Sequence, residues 1–109
     1  MGLPSKGSIV LIRFPFSDLT KSKLRPALVI ASTDKDDFLL CQITSKNYGD
    51  PKSVKLVESD FKFGSLQRLS FVRYTKIFTA NSSIIISEIG MLKEKKFDKI
   101  IDSLIEFLR

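Results

Sequence analysis

The sequence predicts a mainly β fold: a small antiparallel barrel or tightly bent sheet of about five strands, capped by a C-terminal amphipathic α-helix. Three observations predict it. Short runs rich in Ile, Val, Leu and Phe recur along most of the chain, each bounded by turn residues. The connectors between runs are short, which favours antiparallel neighbours. The final segment then changes from strand spacing to helical spacing of its apolar residues.

SIVLIRF (8–14) is the first strand and Pro15 stops it. Alternation predicts Val10, Ile12 and Phe14 inward, with Arg13 outward among Ile9 and Leu11. A polar loop, Ser17 to Lys23, leads to PALVIAS (26–32). Asp34-Lys35-Asp36 suits a hairpin turn into FLLCQITS (38–45), where Leu39, Cys41 and Ile43 face the core and Leu40, Gln42 and Thr44 the other side. A loop at Tyr48-Gly49-Asp50-Pro51 precedes SVKLV (53–57), and LSFVRYTKIFT (69–79) ends at a turn, Asn81-Ser82-Ser83. Phe14, Phe71 and Phe78 are expected in the core. In the last segment Phe97, Ile100, Ile101, Leu104, Ile105 and Leu108 recur at three- and four-residue steps, with Lys95, Lys96, Lys99, Asp102 and Glu106 opposite, which specifies the helix.

At 109 residues, 43% of them hydrophobic, the chain suffices for one core, so residues 1–109 are expected as a single domain. The formal charge of +6 makes a polyanion the first partner to consider. Cys41 is the sole cysteine, expected in the core, and excludes an internal disulfide. The start, MGLPSKG, lacks the apolar stretch of an export signal, so a cytoplasmic location is expected. No run approaches a membrane span.

The chain has no histidine, which removes a Ser-His-Asp hydrolase, a two-histidine ribonuclease and a histidine-ligated zinc site. The only acidic cluster, Asp34, Asp36 and Asp37, falls where a turn is required, and the five glycines form no phosphate-cradling loop. No metal or cofactor is therefore expected. What remains is cations, hydroxyls and aromatics. Pro26 restricts the residue before it to extended angles, so Arg25 stands preorganised at a strand entrance. A guanidinium grips two phosphate oxygens at once, which suits Arg25 to charge building up on phosphorus; a rim salt bridge is the plainer use of such a residue. Thr44 places a hydroxyl at a strand end, with Ser45 beside it. Arg13 is a further candidate phosphate contact by the same reasoning, with an ordinary surface residue as the plainer reading, and Phe16, Tyr48 and Tyr74 have rings that stack on unpaired bases or fill a core.

GSIVLIRFPFSDL, then KLRPALVI, ITS, LQRLSFVRYTKIFT and EIGML before the final helix resemble, in that order, the MazF/PemK family of type II toxin-antitoxin toxins, in the PemK-like form. The resemblance runs from Gly7 into the helix. It implies a small SH3-like barrel, a homodimer, and a metal-independent endoribonuclease that cuts single-stranded mRNA at short motifs and arrests growth. It also implies a cognate antitoxin whose acidic, poorly ordered segment fills the same basic groove. The family's catalytic arginine falls on Arg25 and its strand-end hydroxyl on Thr44, with Ser45 adjacent. The expected RNA contacts are Arg13, Phe16, Asp18, Lys21, Lys23, Gln42, Lys46, Tyr48, Arg68 and Arg73. Asp18 or a held water is the candidate base. The chain departs from many members at Ser8, at loop Ser17 to Lys23 and at Gln42. The alternatives of another class are a non-catalytic barrel binder, either topoisomerase-poison-like or a nucleic-acid holder, and an inactive toxin relative.

Overall fold

A computed structural model describes residues 3–14, 23–46 and 49–109, with Phe14 and Lys23 described by their backbone alone. Among these residues seven strands and one α-helix follow one another: β1 (Ser8–Phe14), β2 (Lys23–Ser32), β3 (Asp37–Thr44), β4 (Val54–Leu56), β5 (Phe61–Gly64), β6 (Ser70–Asn81), β7 (Ile85–Leu92) and α1 (Glu94–Leu108). They make one antiparallel sheet in the order β4-β6-β3-β2-β1-β7-β5. The expected class holds, with seven strands where five were expected. Beyond the five, β5 and β7 complete the sheet, and the Asn81-Ser82-Ser83 turn is one turn of 3-10 helix capped by the Asn81 side chain, which accepts from the Ser83 N–H at 3.0 Å.

Register shifts curl the sheet into a half-barrel. Two interrupt β1–β7, one lies between Val29 and Ala31 of β2, and one falls between Cys41 and Gln42 of β3. Each shift bends its strand and adds twist. The β2–β3 hairpin turns on Lys35 and Asp36, both left-handed at φ 56 and 65, as the sequence predicts for that Asp-Lys-Asp run.

The central strands are buried on both faces, unlike the one-sided pattern expected from alternation. On one face Ile9, Leu28, Cys41, Ile43 and Val72 form a core against Ile100 and Leu104 of α1. On the other, Val10, Ile12, Ala27, Val29, Phe38 and Leu40 form a second cluster, with Phe78 packed at its edge. Ile9 and Val10 are consecutive and both fully buried. Burying a side chain of this size is worth about 1.5–3 kcal/mol, so two clusters hold the middle of the sheet rigid from both sides. Burial pushes the Cys41 thiol up to about 12.

The helix uses less of its apolar stripe than its period suggests. Ile100 and Leu104 are buried, but Ile105 and Leu108, members of the same apolar stripe, are 42% and 69% exposed. No helix among the described residues is long and apolar enough to cross a membrane.

Candidate nucleic-acid interface

The β1–β2 and β2–β3 registers bring the two residues singled out by local reasoning to one end of the sheet. Ala27 pairs with Gln42, and continuing that register two residues outward sets Arg25 opposite Thr44. Arg25 pairs with the fully buried Ile12 on its other side. Facing residues of neighbouring strands share a sheet face, so the β3–β6 and β4–β6 pairs extend the row from Thr44 to Phe71 and Lys55. A cation, a hydroxyl, a half-buried ring and a second cation thus lie side by side.

Arg25 and Thr44 also line an open groove of about 850 Å³ together with Ser45, Lys46 and Arg68. Leu11, Pro26, Ile43 and Ile89 give it an apolar floor. Ser45, Lys46 and Arg68 are exposed, whereas Arg25 and Thr44 are half-buried. The half-burial of Thr44 differs from the exposed hydroxyl expected: its Oγ1 accepts the Lys46 N–H at 3.1 Å, closing a small turn at the end of β3. That bond occupies an oxygen lone pair and leaves the hydroxyl proton available to donate.

The remaining expected contacts divide. Arg13 is exposed, paired with Leu24, and does not line the groove. Gln42 and Arg73 lie one step along the Arg25–Thr44 face and outside the groove. Gln42 Oε1 accepts from the Arg73 guanidinium at 3.4 Å, and Arg73 Nε donates to Asp50 Oδ2 at 3.1 Å. The Lys52 N–H and Arg73 hold the Asp50 carboxyl below its usual range. Tyr74 packs against the first core, so its ring serves packing, and Phe71, expected in the core, is half-buried beside Thr44. Phe16, Asp18, Lys21 and Tyr48 lie outside the described residues, and Lys23 is described only as the first backbone position of β2.

One wall was not foreseen. Gly64, Ser65 and Gln67 also line the groove, on the segment that leaves β5. Gln67 is left-handed at φ 60, and its N–H is held by Ser65 Oγ at 2.9 Å. The glycine in FKFGSLQR is the one sequence signal that marks this bend. Among the described residues no group of three or more His, Cys, Asp or Glu could hold a metal ion.

Comparison with known proteins bears on this geometry. A family model described as PemK-like, MazF-like toxin of type II toxin-antitoxin system matches residues 5–108. No curated protein matches the chain. Among solved structures, MazE-MazF (Form-III) from Deinococcus radiodurans superposes with a TM-score of 0.78 at 18% identity, covering 98% of this chain and 97% of that one. An endoribonuclease from Mycobacterial species gives a TM-score of 0.72 at 19% identity, covering 99% and 93%. An endoribonuclease in complex with its cognate antitoxin, also from Mycobacterial species, gives 0.72 at 18% identity, covering 96% and 94%. At such identities the likeness establishes a shared fold.

Proposed function

The chain belongs to the PemK-like, MazF-like toxins of type II toxin-antitoxin systems, and from that premise we propose that it is an endoribonuclease that cuts single-stranded RNA without a metal. The observation that carries this reading is the groove at the ends of β2 and β3, where Arg25, Thr44, Ser45, Lys46 and Arg68 converge. Three cations along one open groove suit a flexible phosphate backbone.

In the proposed step the substrate's own 2′-oxygen attacks the neighbouring phosphorus. A new O2′–P bond forms and the P–O5′ bond breaks, giving a 2′,3′-cyclic phosphate and a 5′-hydroxyl. The 2′-proton leaves to a base and a proton is delivered to the departing 5′-oxygen. Arg25 grips the non-bridging oxygens as charge accumulates on them, and Thr44 donates its hydroxyl proton to one of them. Arg25 acts as a clamp and not as the base, because a guanidinium has five N–H donors and no acceptor for the 2′-proton.

The same reading makes residues 1–109 one toxin domain acting in the cytoplasm as a homodimer. It makes the groove the seat of an acidic antitoxin segment, since the charge that holds RNA also holds carboxylates. The family match disfavours a non-catalytic barrel binder. The test is long single-stranded RNA incubated with the protein in excess EDTA, beside Arg25→Ala. Discrete cuts ending in cyclic phosphate, reduced about 100-fold or more in the variant, are expected. Intact RNA at stoichiometric protein would overturn the proposal.

A further inference from the structure

Resting on the ribonuclease reading, we propose that Gln42 reads one RNA base through its amide nitrogen, and that Asp50 and Arg73 are positioning residues that fix the amide in that orientation. A glutamine on a surface strand ordinarily presents either end of its amide, and so distinguishes donors from acceptors poorly. Here the polarity runs one way. A carboxylate only accepts and a guanidinium only donates, so a side chain held by Arg73 must turn its oxygen to Arg73 and its NH₂ away. The distances fit that order: 3.1 Å from Arg73 Nε to Asp50 Oδ2, and 3.4 Å from the guanidinium to Gln42 Oε1. Asp50 is itself tied down, its Oδ1 accepting the Lys52 N–H at 2.9 Å.

The backbone builds this arrangement by an irregularity. Cys41 pairs with Ile77, so an unbroken register would set Lys76 opposite Gln42. Instead Gln42 pairs with Arg73, and residues 74–76 bulge out of the ladder. A flexible point charge is thereby replaced with a planar fork that bridges two partners. Gln42 also stands two residues before Thr44 on the same face, about 6.8 Å along the strand. A nucleotide with its phosphate at Arg25 and Thr44, and its chain continuing out of the groove along this face, lays an adjoining base over Gln42, in the row next to Phe71. The ligand feature selected is an acceptor on that base edge, a ring nitrogen or a carbonyl oxygen.

The test uses a randomised single-stranded RNA library. Wild-type protein cuts it and the fragment ends are sequenced; in a second arm, Arg25→Ala protein selects bound RNA from the same library. Wild type is expected to favour one base at one position near the cut by about 3- to 10-fold, the range of one net hydrogen bond. Gln42→Ala flattens that position alone, and Gln42→Glu, which offers only acceptors, moves the preference to another base. Asp50→Asn and Arg73→Lys flatten the same position, add nothing to Gln42→Ala when combined with it, and Asp50→Glu restores part of the preference. A preference unchanged in Gln42→Ala overturns the proposal, as does an Asp50→Asn protein that cuts every sequence more slowly with its preference intact. A wild-type protein that neither cuts nor selects RNA overturns the ribonuclease reading and this proposal together; cutting without preference at any such position overturns this proposal alone.

Discussion

Gly64→Ala tests whether the groove wall at the end of β5 is held by backbone contact. Gly64 is left-handed at φ +75 and ends β5 against Gly90 of β7. A Cβ added there would stand 2.1 Å from the Ile89 carbonyl oxygen and 2.5 Å from the Gly90 Cα. Both are backbone atoms of a strand also paired with β1, so no side chain can swing aside. The left-handed conformation costs a non-glycine residue about 1–2 kcal/mol, and forcing an atom into packed surroundings typically adds about 1–3 kcal/mol. A loss of about 2–5 kcal/mol is a large share of a small domain's stability of about 5–15 kcal/mol. At about 4–8 °C per kcal/mol, Tm should fall by about 10 °C or more. The control is Gly49→Ala, also left-handed at φ +69 but with nothing within 4 Å of its added Cβ, so only the conformational cost applies. The assay is thermal and urea denaturation of both variants. Equal losses in the two would refute the steric argument and leave β5 pinned by conformation alone.

Three further outcomes rest on the same geometry. Cys41 stays protonated when folded up to about pH 12 but ionises from its ordinary 9.0 when unfolded, so its contribution is complete below pH 9 and lost as pH rises toward 12. Each pH unit in that window removes about 1.4 kcal/mol, and urea midpoints at about pH 8 and about pH 10.5 should converge in Cys41→Ala relative to wild type. Ile100→Ala, at a fully buried position of α1, should cost about 2–5 kcal/mol by urea denaturation, while Ile105→Ala, 42% exposed, costs less than about 1 kcal/mol. Thr44→Val keeps the shape but loses the proton proposed for the phosphate, so RNA cutting should drop by about 10- to 100-fold with Tm shifted only a few degrees, and Thr44→Ser should recover most of it.

Local signals in the chain were enough for β1, β2, β3, β4, β6 and α1, because each has a clean period or a clear stop. β7 was missed because Ile84-Ile85-Ile86 is a run without alternation and Gly90 interrupts the remainder of the strand. β5 was missed because four residues ending in glycine give no period at all. The one-sided inward pattern assigned to β1 failed for a different reason. Alternation distinguishes faces only when one is wet, and Ile9, Val10 and Ile12 are all fully buried. For the site, Arg25 and Thr44 were legible because a following proline and a strand end are local facts. Their alignment, the Phe71 ring beside Thr44 and the Asp50–Arg73–Gln42 chain depend on register between strands far apart in sequence, which bulges decide. Ile105 and Leu108 had the right spacing for a core stripe, but how much of α1 is covered depends on where the sheet stops.

The bulge on β6 also governs how the chain accommodates insertions and deletions. Pairing resumes on both sides of residues 74–76, with Ile77 on Cys41 and Arg73 on Gln42. Excising those three would join the two halves with every β3–β6 pair preserved, at the cost of the packing that Tyr74 gives the first core. A single-residue insertion elsewhere in β6 would turn all the residues beyond it to the wrong face. The strand thus behaves as two independently anchored halves, one ending beside the β2–β3 hairpin, where Asn81 Nδ2 donates to Asp37 Oδ1, and one reaching the groove at Ser70. Length changes at the joint are absorbed there, so the half that reaches the groove is insulated from drift in the half that does not.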